Sequence, residues 1–191
     1  GMKIRLLKQT AEDEVPLSVT VLGNMALMSD EFPATNDRQF FADGITPFAY
    51  RFAHRLSYNG QVIIARRFSE HFSMQLSPVA IYRNLVPVGG TNLTVAVVLS
   101  ARMKVTTKGS ILCEVSPIVK GRQPEDPLEP LAIGYEVATQ GHVFQIVLCS
   151  SQEILEQRVY TMPTSRYNDG YFHLGFNIAR TMYVKPKVPM P

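Results

Sequence analysis

Three stretches of this chain alternate apolar and polar residues, and that period of two constrains the fold more than anything else in the sequence. In "LTVAVVLSARMKV" (93–105), Leu93, Val95, Val97, Leu99, Ala101, Met103 and Val105 fall on one face. "LAIGYEVAT" (131–139) alternates Leu131, Ile133, Tyr135 and Val137 with small or polar neighbours. "YFHLGFNIARTMYVK" (171–185) puts Phe172, Leu174, Phe176, Ile178, Met182 and Val184 on one side. Successive side chains of a strand point to opposite faces, so this pattern specifies strands with one apolar and one polar face. "HVFQIVLCS" (142–150) is nearly continuously apolar, as a strand covered on both faces would be.

Turn chemistry separates the runs. Asn59-Gly60, Lys108-Gly109 and Gln140-Gly141 read as tight reversals, and Gly89-Gly90 as a looser connection after Pro87. The result is an all-β protein, a mainly antiparallel sandwich or barrel of about nine or ten strands. Residues 1–191 form a single domain, with Gly1 ahead of Met2 reading as a tag remnant. "SSQEILEQRV" supplies one short helix near 151–158, with Ser150 as cap and Glu153 reaching back to it. "TPFAYRFAHRL" (46–56) fits either a helix or a strand leading into the Asn59-Gly60 turn. Residues 29–45, and the proline-dense "KGRQPEDPLEP" at 120–130, read as loops.

Composition narrows the class. With 46% apolar and 18% charged residues the chain has the makings of a packed core. The apolar run from Val95 to Leu99 is far shorter than the ~20 residues of a membrane-spanning helix. "KIRLLKQTAEDE" has no apolar segment of the secretory kind, and Cys113 and Cys149 read as two buried thiols in a reducing compartment. The expectation is a soluble, cytoplasmic protein with no membrane contact.

Catalytic and metal chemistry find no support. His54, His71, His142 and His173 show no ligand spacing, and the two cysteines stand apart from them, so no metal is expected. No nucleophile elbow, phosphate loop or dinucleotide fingerprint is present, which leaves no catalytic residue to name, no cofactor and a reading that leans away from an enzyme.

Two groups of residues remain as candidate sites. Tyr171, His173, Asn177, Thr181 and Tyr183 form an uncharged face on the strand at 171–184, suited to a subunit contact or a pocket wall. Arg51, Arg55 and Arg66 fall on one face of a hairpin turning at Asn59-Gly60 and form a candidate anion patch. Arg180 interrupts the apolar side of the last strand, where Glu114 or Glu136 could pair with it, an anion could bind it, or a register shift could expose it. The leading functional expectation is a binding or assembly module acting by self-association, as a homo-oligomer, or by docking a protein partner. Its rivals are a small-molecule pocket or enzyme at 171–183, and nucleic-acid binding through the arginines. A net charge of +3 does not favour nucleic acid.

Overall fold

The computed structural model describes residues 1–29, 31, 49–86, 89–123, 128–162 and 166–180. Ten strands form one sheet: β1 (Met2–Leu7), β2 (Ser18–Leu27), β3 (Leu56–Arg67), β4 (Phe72–Arg83), β5 (Leu93–Lys104), β6 (Gly109–Val115), β7 (Ile118–Lys120), β8 (Leu131–Ala138), β9 (His142–Cys149) and β10 (His173–Arg180). The order is β1-β2-β3-β4-β5-β6-β8-β9-β10, with every pairing antiparallel. β7 continues the line of β6 past Pro117 and pairs the start of β5 through a register shift. The expected number and direction of strands are therefore as read, but they lie in a single sheet that does not close on itself. The one short helix expected near 151–158 is present as four residues, α1 (Glu156–Val159), but it starts after Leu155 without a side-chain cap: the Ser150 hydroxyl accepts from the Leu131 amide instead, and Glu153 pairs with Arg158.

The sheet is curled. Ser18 of β2 and Val147 of β9 line the same cavity of ≈ 620 Å³. In a flat sheet those strands, six places apart, would be separated by roughly 29 Å at ~4.8 Å per strand. Wrapping also divides the connections between two rims. One rim carries the turns 68–71, 105–108 and 139–141 and the connection 8–17. The other carries the links from β2 to β3, β4 to β5, β7 to β8 and β9 to β10. The reversals at Lys108-Gly109 and Gln140-Gly141 are as expected.

Asn59-Gly60 is not a turn. Both residues sit in the middle of β3, which runs without a break to Arg67. The reversal comes at 68–71, where the Ser69 hydroxyl accepts from the amides of His71 (3.2 Å) and Phe72 (3.1 Å). The ambiguous 46–56 segment is described from residue 49 onward: Phe52–Arg55 is one 3-10 turn, and β3 starts at Leu56.

Alternation places the apolar residues outward. Directly facing positions form continuous rows, such as Phe72, Met103, Ile111, Tyr135, Ile146 and Phe176 across six strands. The row Ile64, Leu76, Leu99, Val115 and Leu131 runs beside it. These residues are largely exposed, Phe176 to 65% and Ile146 to 55%. The inner face is polar: Ser77, Thr94, Ser110, Asn59 and Gln61 are all buried. Among the described residues, six apolar side chains are buried against eleven polar ones, the reverse of a water-soluble domain.

The small apolar cluster lies inside the curl. Val79, Ile81, Ala96, Val98 and Ile118 enclose Tyr160, which follows α1 on the 150–172 connection. Tyr160 hydrogen-bonds Ser116, and its burial, with Glu114 and Glu156 nearby, holds the phenol well above its ordinary value. A buried neutral phenol contributes stability that is complete below the ordinary tyrosine pKa of about 10 and is lost as pH rises past it, because the unfolded chain ionises first. Tyr160→Phe should therefore lower stability by about 1 kcal/mol at neutral pH through the lost hydrogen bond. It should also flatten the alkaline loss of β-structure above that pH, followed by circular dichroism; an unchanged alkaline profile would show that Tyr160 does not govern it.

Candidate functional site

The inner surface carries three polar features that the sequence did not bring together. The first is a ladder of side chains near the short-turn rim. Arg102 on β5 donates from Nε (3.0 Å) and Nη2 (2.9 Å) to Glu136 Oε1 on β8. Gln145 on β9 donates to the other oxygen of Glu136 at 2.8 Å, and Asn177 on β10 donates to Gln145 at 3.4 Å. Antiparallel register makes these contacts possible, since Glu136, Gln145 and Asn177 face one another directly.

The second feature is the inward seating of α1. Glu156 Oε2 accepts from the amides of Asn24 on β2 (2.9 Å) and Asn59 on β3, and the Gln157 amide donates to Asn24 Oδ1. Two strand asparagines thus hold one carboxylate of the long connection inside the curl. This is why asparagine occupies the middle of β3: its inward position needs a donor, and its tolerance of turn geometry is unused.

The third feature is a cavity of ≈ 510 Å³ at the long-connection rim, beside α1. Arg55, Arg83, Arg158 and His54 line it together with Leu85, Val86 and Met162. Arg55 Nη1 donates to the Met28 carbonyl at 3.1 Å. Arg158 makes a two-point ion pair with Glu153, at 2.6 and 2.9 Å. Arg83 donates to the Thr161 carbonyl at 3.4 Å and lies within electrostatic reach of Arg158.

The expected site residues are distributed as follows. His173 and Asn177 do face inward on β10, opposite Cys149 and Gln145, while Tyr171 precedes the strand and is exposed. Thr181 and Tyr183 lie outside the described residues. Arg55 joins the rim cavity, and Arg51 starts the 3-10 turn, its amide donating to His54 Nδ1 at 3.0 Å. Arg66 is at the far end of β3, eleven residues from Arg55, where it pairs with Asp13 at 2.7 Å. The hairpin at Asn59-Gly60 that would gather the three arginines does not exist, so they stand apart. Arg83 and Arg158 were missed because nothing in their local sequence shows that β4 and the 150–172 connection meet.

Arg180 ends β10 on the outer face, opposite His142 at the short-turn rim. Its proposed partners point inward, with Glu136 held by Arg102 and Gln145, and Glu114 accepting from Ser100 at 2.9 Å. Cys113 and Cys149 are both free thiols, and Cys113 is exposed among the outer apolar residues instead of buried. Among the described residues no group of three or more His, Cys, Asp and Glu side chains could hold a metal.

No described helix is long and apolar enough to cross a membrane. Strands are another matter, and the outer rows of β4 to β10 present hydrocarbon-like surface across the sheet. Neither the curated proteins nor the solved structures give a match to the chain. A family model does match, over residues 1–182, and its description is a membrane bound beta barrel domain (DUF5777). This finding overturns the soluble, cytoplasmic, membrane-free reading, and with it the soluble binding or assembly module and its soluble rivals. The physical reason is symmetry: a period of two reports that one face is apolar, and says nothing of whether that face meets a protein core or lipid. The chain belongs to the membrane bound beta barrel domain family.

Proposed function

We propose that this domain forms a membrane-spanning β wall with its outer rows in lipid and its interior occluded by its own 150–162 segment, so that it does not act as an open diffusion pore. The observation that carries this reading is the seating of α1 and Tyr160 inside the curl. Polar anchors at Asn24 and Asn59 and an apolar socket at Val79, Ile81 and Val98 fix the segment from two sides. The division of connections supports the setting. Short turns on one rim and long connections on the other are usual for bacterial outer-membrane barrels, whose longer loops face the exterior. Arg180 and His142 then sit at the short-turn interface, where a long basic side chain reaches water past the apolar strand.

Two measurements test the reading. Leu99, at the centre of β5, faces outward, and Ser100 beside it faces inward. Leu99→Arg should destabilise the protein in phospholipid vesicles by about 2–4 kcal/mol in urea titrations, and Ser100→Arg by clearly less. Equal costs at the two positions would remove the lipid-facing assignment. In planar bilayers the native protein should show no steady conductance. Glu156→Ala leaves two amide donors without their acceptor, at about 1–3 kcal/mol for such a group. It should produce intermittent conductance and faster tryptic cleavage at Arg158. A native protein that conducts steadily would overturn the occlusion.

A further inference from the structure

The rim cavity has a composition that neither the lipid-facing wall nor the occluding segment requires. Its walls come from four separate places: the end of β2, the turn before β3, the end of β4, and the residues around α1. Three of those four places each supply one guanidinium, Arg55, Arg83 and Arg158, to one space of ≈ 510 Å³. That volume lies within the ~300–1,000 Å³ usual for small-molecule sites.

One carboxylate, Glu153, is committed to Arg158 by a two-point pair. Arg83 has no ion pair among the described residues, and its hydrogen bond to Thr161 is long at 3.4 Å. Bringing like charges together in a half-enclosed space is unfavourable, and an anion between them would reverse the sign of that interaction. Guanidinium groups are suited to this task, because their planar forks meet two oxygens of a phosphate or carboxylate at once. The rest of the lining is apolar: Leu85, Val86 and Met162 face the same space. A bare inorganic ion would leave that surface unused.

We propose that this cavity is a binding site for an amphipathic anion, whose phosphate or carboxylate head sits on Arg83 and Arg55 and whose apolar body lies against Leu85, Val86 and Met162. Arg158, held by Glu153, supplies a fixed positive charge to the same head. Because residues 155, 157, 158 and 162 belong to the wall, an occupant would also hold the occluding segment in place.

The test uses the full chain in dodecyl maltoside with water-soluble probes, by isothermal titration calorimetry. Hexyl phosphate and heptanoate carry the head and a short apolar body, inorganic phosphate carries the head alone, and hexanol the body alone. At least one of the two amphipathic anions should bind at least tenfold more tightly than inorganic phosphate, and hexanol should give no detectable heat. Arg83→Gln and Arg55→Gln should each weaken that binding tenfold or more, with β-structure confirmed by circular dichroism. Arg66→Gln, at the opposite rim, should leave it unchanged. Inorganic phosphate binding as tightly as both amphipathic anions would overturn the apolar half of the site. Binding that survives both folded rim variants, or that hexanol matches, would overturn the site itself. A variant that loses β-structure is replaced as a readout by its partner, since the two arginines come from different elements.

Discussion

The governing constraint is that the backbone must satisfy its hydrogen bonds without help from the medium on the outer face. An antiparallel ladder does this strand by strand, and it frees each side chain to be chosen for the phase it meets. Outward positions are mostly Leu, Ile, Val, Phe and Met; inward positions are largely polar, apart from the small apolar socket around Tyr160. The unusual distribution of buried residues follows directly. What is shielded from solvent in this molecule is mainly the polar lining, and the apolar side chains form the exposed surface.

A polar lining creates its own demands. Each inward amide or hydroxyl needs a partner, and neighbouring strands deliver partners in register, as in the chain Arg102, Glu136, Gln145 and Asn177. Where the lining must receive a foreign segment, the same chemistry becomes a receptor. Asn24 and Asn59 share one carboxylate of the 150–172 connection, while a small apolar socket accepts Tyr160. The two attachments differ in kind. The socket is non-directional and tolerates small shifts, whereas the two asparagines fix where Glu156 stands.

Strand content, direction and two of the tight turns were legible because they depend on local pattern alone. The phase facing the apolar side was not, since Leu99 and Val97 would occupy the same parity in a sandwich. Asn59-Gly60 misled for a related reason: a dipeptide favoured in turns was selected here for an inward amide. The rim cavity lay beyond local reading altogether. Arg55, Arg83 and Arg158 are separated by long stretches of sequence and converge only because the sheet curls and a distant connection folds into it. One clue was available in connection lengths, which alternate between short and long along the chain. That alternation distinguishes the two rims before any coordinate is known.

The strand order has a consequence at the two edges. Counting β6 and β7 as one line, the ladder has nine positions, so β1 and β10 run in the same direction. A seam joining them directly would be parallel, with slanted hydrogen bonds and a slightly weaker ladder per residue. An antiparallel seam would instead need an odd number of intervening strands. Every other pairing in the sheet is indifferent to this arithmetic. The seam alone carries it, and in hydrocarbon each unpaired edge amide costs several kcal/mol. The β1 and β10 edges, open in this single sheet, are therefore where pairing would have to be completed before hydrocarbon could surround the wall.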